Sequence, residues 1–315
     1  MTTQTVRAFA LAGAILSLAA VRLTAQAPPM QFPPPLIQAK TVQLSRHTYV
    51  IPDGETTLVP NVGIVVGSRA TLVIDTGMGN RNARTVLAEV AKVSKNRTMY
   101  LATTHAHAEH TSGMGAFPAD TTFVVAKAQQ EELDAFGDRV FTGVARLSPF
   151  IAELLQGATL RKPGIVFDRE HVLDLGGVTV RLIWVGPAHS KGDTAIVVEG
   201  EGIVFAGDLA PRQRFPSFSP DSTRARFITA MNRVEALKAT VFVPCHGSYG
   251  DGSVFAEQRT VLEAMAARVA VLKKAGQSLD ATTKTVAAEF AARYPGWRAT
   301  IPNNVDPIVS ALYAE

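Results

Sequence analysis

Short apolar runs recur along the chain between residues 41 and 244, and most are too short for helices. Thr41–Leu44, Thr48–Ile51, Val62–Val66, Ala70–Asp75, Met99–Thr103 and Thr122–Val125 read as strands. A second series follows at Ile165–Phe167, Val172–Leu173, Val178–Trp184, Thr194–Val198, Gly202–Ala206 and Thr240–Pro244. Gly67-Ser68-Arg69 between two of the runs is a hairpin signal. Residues 81–93 place Val86, Leu87, Val90 and Val93 on one helical face, and 222–238, 253–275 and 280–294 also read as helices. Residues 127–160 are helical and loop-like and unusually apolar for a connection, with Leu133, Phe136, Val140, Phe141, Phe150, Ile151, Leu154 and Leu155. The segment either roofs a cleft or forms ordinary core helix.

The 315 residues and 47% hydrophobic content suit one domain with a large core. No repeat or flexible linker divides it, so residues 41–315, C-terminal helices included, are expected to form one domain. Lys+Arg total 31 against 27 Asp+Glu, and no basic run suggests nucleic acid as a partner. Residues 1–27 read as a secretory signal: Arg7 precedes the apolar stretch Ala8–Val21, and Ala25-Gln26-Ala27 is a small-x-small cleavage candidate. The apolar stretch is too short to span a bilayer, so no stable membrane association is expected after cleavage. A periplasmic or secreted location follows. Residues 28–40 form a Pro-rich, exposed leader. Cys245 is the single cysteine, which leaves no intrachain disulfide; beside His246 it reads as a small buried residue rather than a ligand.

The densest chemistry lies at Thr104-His105-Ala106-His107-Ala108-Glu109-His110-Thr111, which holds three of the seven histidines and a carboxylate. Imidazole and carboxylate are ligands for borderline cations such as zinc. His105 and His107 leave the preceding strand with the same facing. Glu109 and His110 begin the next turn and point elsewhere, so the segment can feed two adjacent metals. Later joins between strands carry His189, Asp208 and His246, and an earlier strand ends at Asp75-Thr76-Gly77. Asp75 reads as a turn cap or as a carboxylate that orients nearby groups. Asn61, before its strand, is either a substrate contact or a turn asparagine. Arg212 and Arg214, on the loop after Asp208, are either solvated or partners of a substrate carboxylate. His47 and His171 read as surface residues. No Gly-x-Ser-x-Gly motif supports a serine hydrolase.

As an ordered set, Asp75, then His105, His107, Glu109 and His110, then His189, Asp208 and His246, resembles the metallo-β-lactamase fold superfamily. The resemblance implies an α+β fold, a four-layer αββα sandwich with metals at one edge of its two sheets. It implies a first site of His105, His107 and His189, and a second of Glu109, His110 and His246. Asp208 would bridge the two, and Asp75 would steady the cluster loop. It further implies two zinc ions and a hydrolase that uses a metal-activated hydroxide on an ester, thioester, lactone or amide-like small molecule. A β-lactamase proper and a non-catalytic zinc-binding protein are the alternatives. Two departures mark this chain: Glu109 stands where the family usually has aspartate, and Asp208 stands where true β-lactamases generally use Cys or Ser. Asp208 and Glu109 are the candidate catalytic residues, with ligation and acid–base transfer both open for Glu109.

Overall fold

Alternation within the strands sorts the apolar side chains into layers. The computed structural model describes residues 33–137, 139–219, 222–297 and 305–315. The expected signal segment and the first residues of the leader lie outside the described residues. One sheet has seven strands in sequence order: β1 (Val42–Gln43), β2 (Thr48–Ile51), β3 (Val62–Val66), β4 (Ala70–Ile74), β5 (Thr98–Ala102), β6 (Thr122–Ala126) and β7 (Ile165–Phe167). It is antiparallel as far as β4 and parallel from there. The second sheet has the order β12-β11-β10-β9-β8, from β8 (Glu170–Asp174), β9 (Thr179–Trp184), β10 (Thr194–Val198), β11 (Ile203–Gly207) and β12 (Val241–Pro244). Only β11 and β12 pair in parallel there.

In β4, Leu72 and Ile74 face the second sheet, while Val73 faces outward. In β11, Ile203 and Phe205 answer them across the interface, while Val204 and Ala206 face the opposite way. Helix α1 (Gly79–Val93) covers the outer face of the first sheet with Ala83, Val86 and Val90. Helices α6 (Arg224–Glu235), α7 (Ser253–Lys274), α8 (Leu279–Arg293) and α9 (Asp306–Ala314) cover the second through Phe227, Met265, Val286 and Ile308. The result is the αββα sandwich, with one apolar layer between the sheets and one under each set of helices. Short helices α2 (Ala108–Thr111), α3 (Lys127–Phe136), α4 (Arg139–Ala145) and α5 (Pro149–Leu154) rise from the first sheet. Among the described residues no helix is long and apolar enough to cross a membrane.

The leader is exposed at Pro33, Pro34, Gln38 and Lys40, but Pro35 and Ile37 are buried. Ile37 joins the layer under α1; its N–H donates to Asn82 Oδ1 at 2.9 Å, and Asn82 Nδ2 donates to the Pro35 carbonyl at 2.8 Å. Asn82, on the buried side of α1, gives this extended segment the hydrogen bonds that no strand supplies. Helix α9 has no counterpart among the predicted helices.

Candidate metal centre

Every strand that carries a cluster residue ends at one edge of the sandwich. β4 and β5 run in parallel, so Asp75 and the 103–107 loop leave that edge together. Trp184 pairs with Thr194, which places the loop carrying His189 between two strand ends. The parallel pair β11–β12 delivers Asp208 and His246 to the same edge. The Thr194 N–H donates to the Thr104 carbonyl at 2.8 Å, joining the two sheets there.

Asp75 is fully buried, with a left-handed φ of 67°. Its Oδ1 accepts from the Thr104 N–H at 2.8 Å and its Oδ2 from His110 Nδ1 at 3.0 Å. The Thr104 hydroxyl donates to Oδ2 at 3.0 Å. A left-handed aspartate is tolerable because its side chain bonds locally.

The seven donor residues fall into two adjoining groups. His107 Nδ1 comes within 3.1 Å of His105 Nε2 and 3.2 Å of His189 Nε2. Ligand atoms of Glu109, His110 and His246 lie within 4.8 Å of one another, with Glu109 Oε1 at 3.9 Å from His110 Nε2 and 4.0 Å from His246 Nε2. Asp208 Oδ2 lies between the groups, 3.4 Å from His189 Nε2 and 3.7 Å from His246 Nε2.

The outer ring nitrogens of His105, His110, His189 and His246 are already engaged. His189 Nδ1 donates to the Ser217 carbonyl at 3.0 Å and His246 Nδ1 to the Val59 carbonyl at 2.9 Å. His105 Nδ1 meets the Thr104 hydroxyl at 3.1 Å. These bonds fix the tautomers that leave Nε2 with a lone pair facing inward. His110 Nε2, His246 Nε2 and Asp208 Oδ1 are buried and have no hydrogen-bond partner among the described residues. Buried polar atoms are costly to leave unmatched, and a divalent cation is the partner that nitrogen and carboxylate donors share. The residues therefore fit bound metal.

The electrostatics agree. Burial holds His105 and His246 well below the usual imidazole range and lowers His189 to about 4, so these rings stay neutral. Burial also opposes charge on His110, but Asp75, with help from Glu109 and Asp208, outweighs it and raises the ring to about 9. Burial pushes Asp208 up to about 6. Around His110 the neighbouring carboxylates thus favour positive charge.

Cys245 Sγ lies 3.2 Å from Thr104 Oγ1 and 3.5 Å from Asp75 Oδ2. It is also within ligand spacing of His105 and His110, but on the ring edges that Thr104 and Asp75 occupy rather than the converging ones. Burial first, and then Asp75, raise the thiol well above its ordinary value, so it stays protonated.

Three residues read as substrate contacts are placed otherwise. Asn61 is 2% exposed; Nδ2 donates to the Pro244 and Gly247 carbonyls at 2.7 and 2.8 Å, and Oδ1 accepts from the Asp53 N–H at 2.8 Å. Its donors are consumed in clamping the His246 loop. Arg214 is 2% exposed and sits 3.6 Å from Asp53 Oδ2. Arg212 lines a separate small pocket with Glu55, Gln213 and Ser248. Neither arginine reaches the cleft over the histidines. Gly247 follows His246 at φ 88°, and a Cβ there would meet the Arg212 carbonyl at 2.5 Å, so the ligand loop depends on glycine at that point.

The cleft itself, about 360 Å³, is lined at its base by His107, Glu109 and His189. That volume is within the range of small-molecule sites. The 127–160 segment serves both of its expected roles. Phe141, Ile151 and Leu155 are buried in a small core shared with Leu58, Met78 and Ala108, while Phe136, Val140 and Val144 line the cleft. Leu58, Glu132 and Phe218 also line it; no reading of the sequence singled them out as site residues.

The family model described as the metallo-beta-lactamase superfamily matches residues 56–246, more than half of the chain. A comparison with curated proteins finds no match. Among solved structures, the chain is 18% identical to a metallo-beta-lactamase from Pontibacter korlensis, over 72% of this chain and 99% of that one, at a TM-score of 0.58. It is 18% identical to a metallo-beta-lactamase family protein from Thermus thermophilus, over 86% of this chain and 93% of that one, at 0.61. It is 15% identical to the stereoselective inverting sec-alkylsulfatase Pisa1 from Pseudomonas sp., over 87% of this chain and 50% of that one, at 0.62. At these identities the likeness carries the fold alone.

Proposed function

The chain belongs to the metallo-beta-lactamase superfamily, and on that premise we propose that it is an exported binuclear zinc hydrolase acting on a small ester, thioester, lactone or amide-like substrate. The observation that carries the reading is the pair of adjoining donor groups, with His110 Nε2 and His246 Nε2 in the second group and Asp208 Oδ1 between the groups buried and without a hydrogen-bond partner among the described residues. Zinc bound there supplies a hydrolytic nucleophile at neutral pH, by lowering the pKa of water from about 15.7 to about 7. His105, His107 and His189 would hold one ion and Glu109, His110 and His246 the other, with Asp208 available to both. Asp75 and Thr104 hold the cluster loop in register. No Ser-His-Asp arrangement is required.

A panel of esters, thioesters, lactones and a chromogenic cephalosporin, run with and without a chelator, tests this. Chelator-sensitive turnover of an acyl substrate other than the cephalosporin is the expected result. Turnover of the cephalosporin alone assigns a β-lactamase, the outcome that Asp208 in place of Cys or Ser argues against. No turnover of any member by the zinc-loaded protein leaves a non-catalytic zinc-binding protein.

Glu109 is read as a ligand because Oε1 approaches both His110 Nε2 and His246 Nε2. Glu109→Ala is then expected to lose about one metal equivalent together with activity, and Glu109→Asp to retain the second metal. If Glu109 instead transfers protons, Glu109→Ala keeps both metals and slows turnover about 10²–10⁴-fold. Unchanged metal content with unchanged turnover defeats both roles. Export rests on the Arg7 and Ala8–Val21 pattern. Fractionation should find the cleaved protein outside the cytoplasm; full-length protein retained there overturns that part of the reading.

A further inference from the structure

The cleft above the donor groups has two unlike ends. At its base are His107, Glu109 and His189. Its far wall is built from Leu58, Ala106, Phe136, Val140, Val144 and Phe218. Val140 and Val144 are one helical turn apart and half-buried: both line the cleft and pack on their other side against the small core that holds Phe141. Phe136, the last residue of α3, is 50% exposed at the rim. An aromatic ring held half in water beside an apolar wall leaves a surface that a ligand can cover.

Charge narrows the ligand further. Among the described residues lining the cleft there is no lysine or arginine, and the charged side chains are Glu109 and Glu132. Arg212 and Arg214, which would have suited a carboxylate, lie in a different pocket and beside Asp53. We propose that the substrate carries an uncharged apolar arm, alkyl or aryl, that lies under α3 and α4 against Phe136, Val140 and Val144 while its reacting group sits over the histidines. The assignment rests on the metal-centre reading above. A macromolecular partner is disfavoured because the apolar wall is continuous with the donor groups in one small cavity.

The test uses zinc-loaded full-length protein and straight-chain alkyl hydroxamates from acetyl to octanoyl, with binding measured by calorimetry. The hydroxamic acid is largely uncharged at neutral pH and gives up its proton on chelating zinc, and this head group is the same throughout the series, so the chain length reports the wall alone. Affinity is expected to rise about two- to fourfold per methylene, as burial of a CH₂ requires, until the chain passes the rim. Phe136→Ala, at a half-exposed position that should not disturb folding, is expected to cut the octanoyl-to-acetyl affinity ratio at least about fivefold and leave acetohydroxamate binding unchanged; Phe136→Leu should recover most of the ratio. Acetohydroxamate binding with no gain along the series overturns the apolar arm and leaves the metal centre standing. A steep series unaltered by Phe136→Ala and by Val140→Ser places the arm elsewhere and overturns the assignment. Failure of every hydroxamate to bind removes the metal-centre reading, and the arm with it.

Discussion

Replacing His189 by alanine is expected to strip the metal from the first donor group and to reduce turnover at least about 10³-fold. The size follows from losing a Lewis acid that contributes several kcal/mol of transition-state stabilisation, at about 1.4 kcal/mol per tenfold. His189 is the one member of its group that the second sheet supplies, and its Nε2 is also the nearest histidine nitrogen to Asp208 Oδ2, at 3.4 Å. Without it, two histidines from a single loop remain. The ring lies at the sandwich edge and in none of the apolar layers, so the fold should survive. Elemental analysis and thermal melts with and without added zinc distinguish the outcomes: the variant should carry at most about one zinc equivalent, and its melting temperature should rise less on zinc addition than that of metal-free wild type. His246→Ala, in contrast, should keep the first metal. A His189→Ala protein with wild-type metal content would show that these histidines are not ligands.

The second large effect is expected at Asp75, which touches no metal. Its carboxylate accepts from the Thr104 N–H, the Thr104 hydroxyl and His110 Nδ1 while 0% exposed. Asp75→Asn keeps the size and the tolerance for a left-handed backbone. It also replaces one acceptor oxygen with an NH₂ group that opposes the donors around it. Second-metal affinity should fall about 10–100-fold, as for other outer partners of ligating histidines. Metal-free stability should fall by about 1–3 kcal/mol, the cost of an unmatched buried polar group. Chelator competition reads the first and urea unfolding the second. Wild-type affinity in Asp75→Asn would mean that His110 is held in place by something other than this carboxylate.

How far the sequence revealed these features depends on the range of the interactions. The 105–110 cluster is legible because its donors are neighbours, and the strands because short apolar runs between turns have few other uses. His189, Asp208 and His246 stand out only as polar residues at strand ends; it takes the sheet order to show that those ends share an edge. Asn61 looked free for a ligand because its partners, the carbonyls of Pro244 and Gly247, lie more than 180 positions away. Arg212 and Arg214 would share a face on an extended loop, but Gln213 between them has φ 54°, which turns Arg214 inward to Asp53. The carbonyls of Val59 and Ser217, which set the tautomers of His246 and His189, carry no side-chain signature at all. In the roof, Phe141 is buried in the small core while Val140 and Val144 both pack against that core and line the cleft, a double use that a list of apolar residues does not show.

Two donor groups acting as one binuclear centre underlie every step proposed for this chain. The measurement closest to that statement is the metal content of the purified, undialysed protein, taken beside its hydrolytic rate before and after chelation. The expected result is two zinc equivalents per chain, one tight and one weaker, with turnover lost on chelation and restored by zinc. A protein that carries no transition metal, and hydrolyses its substrate equally well in chelator, would contradict it.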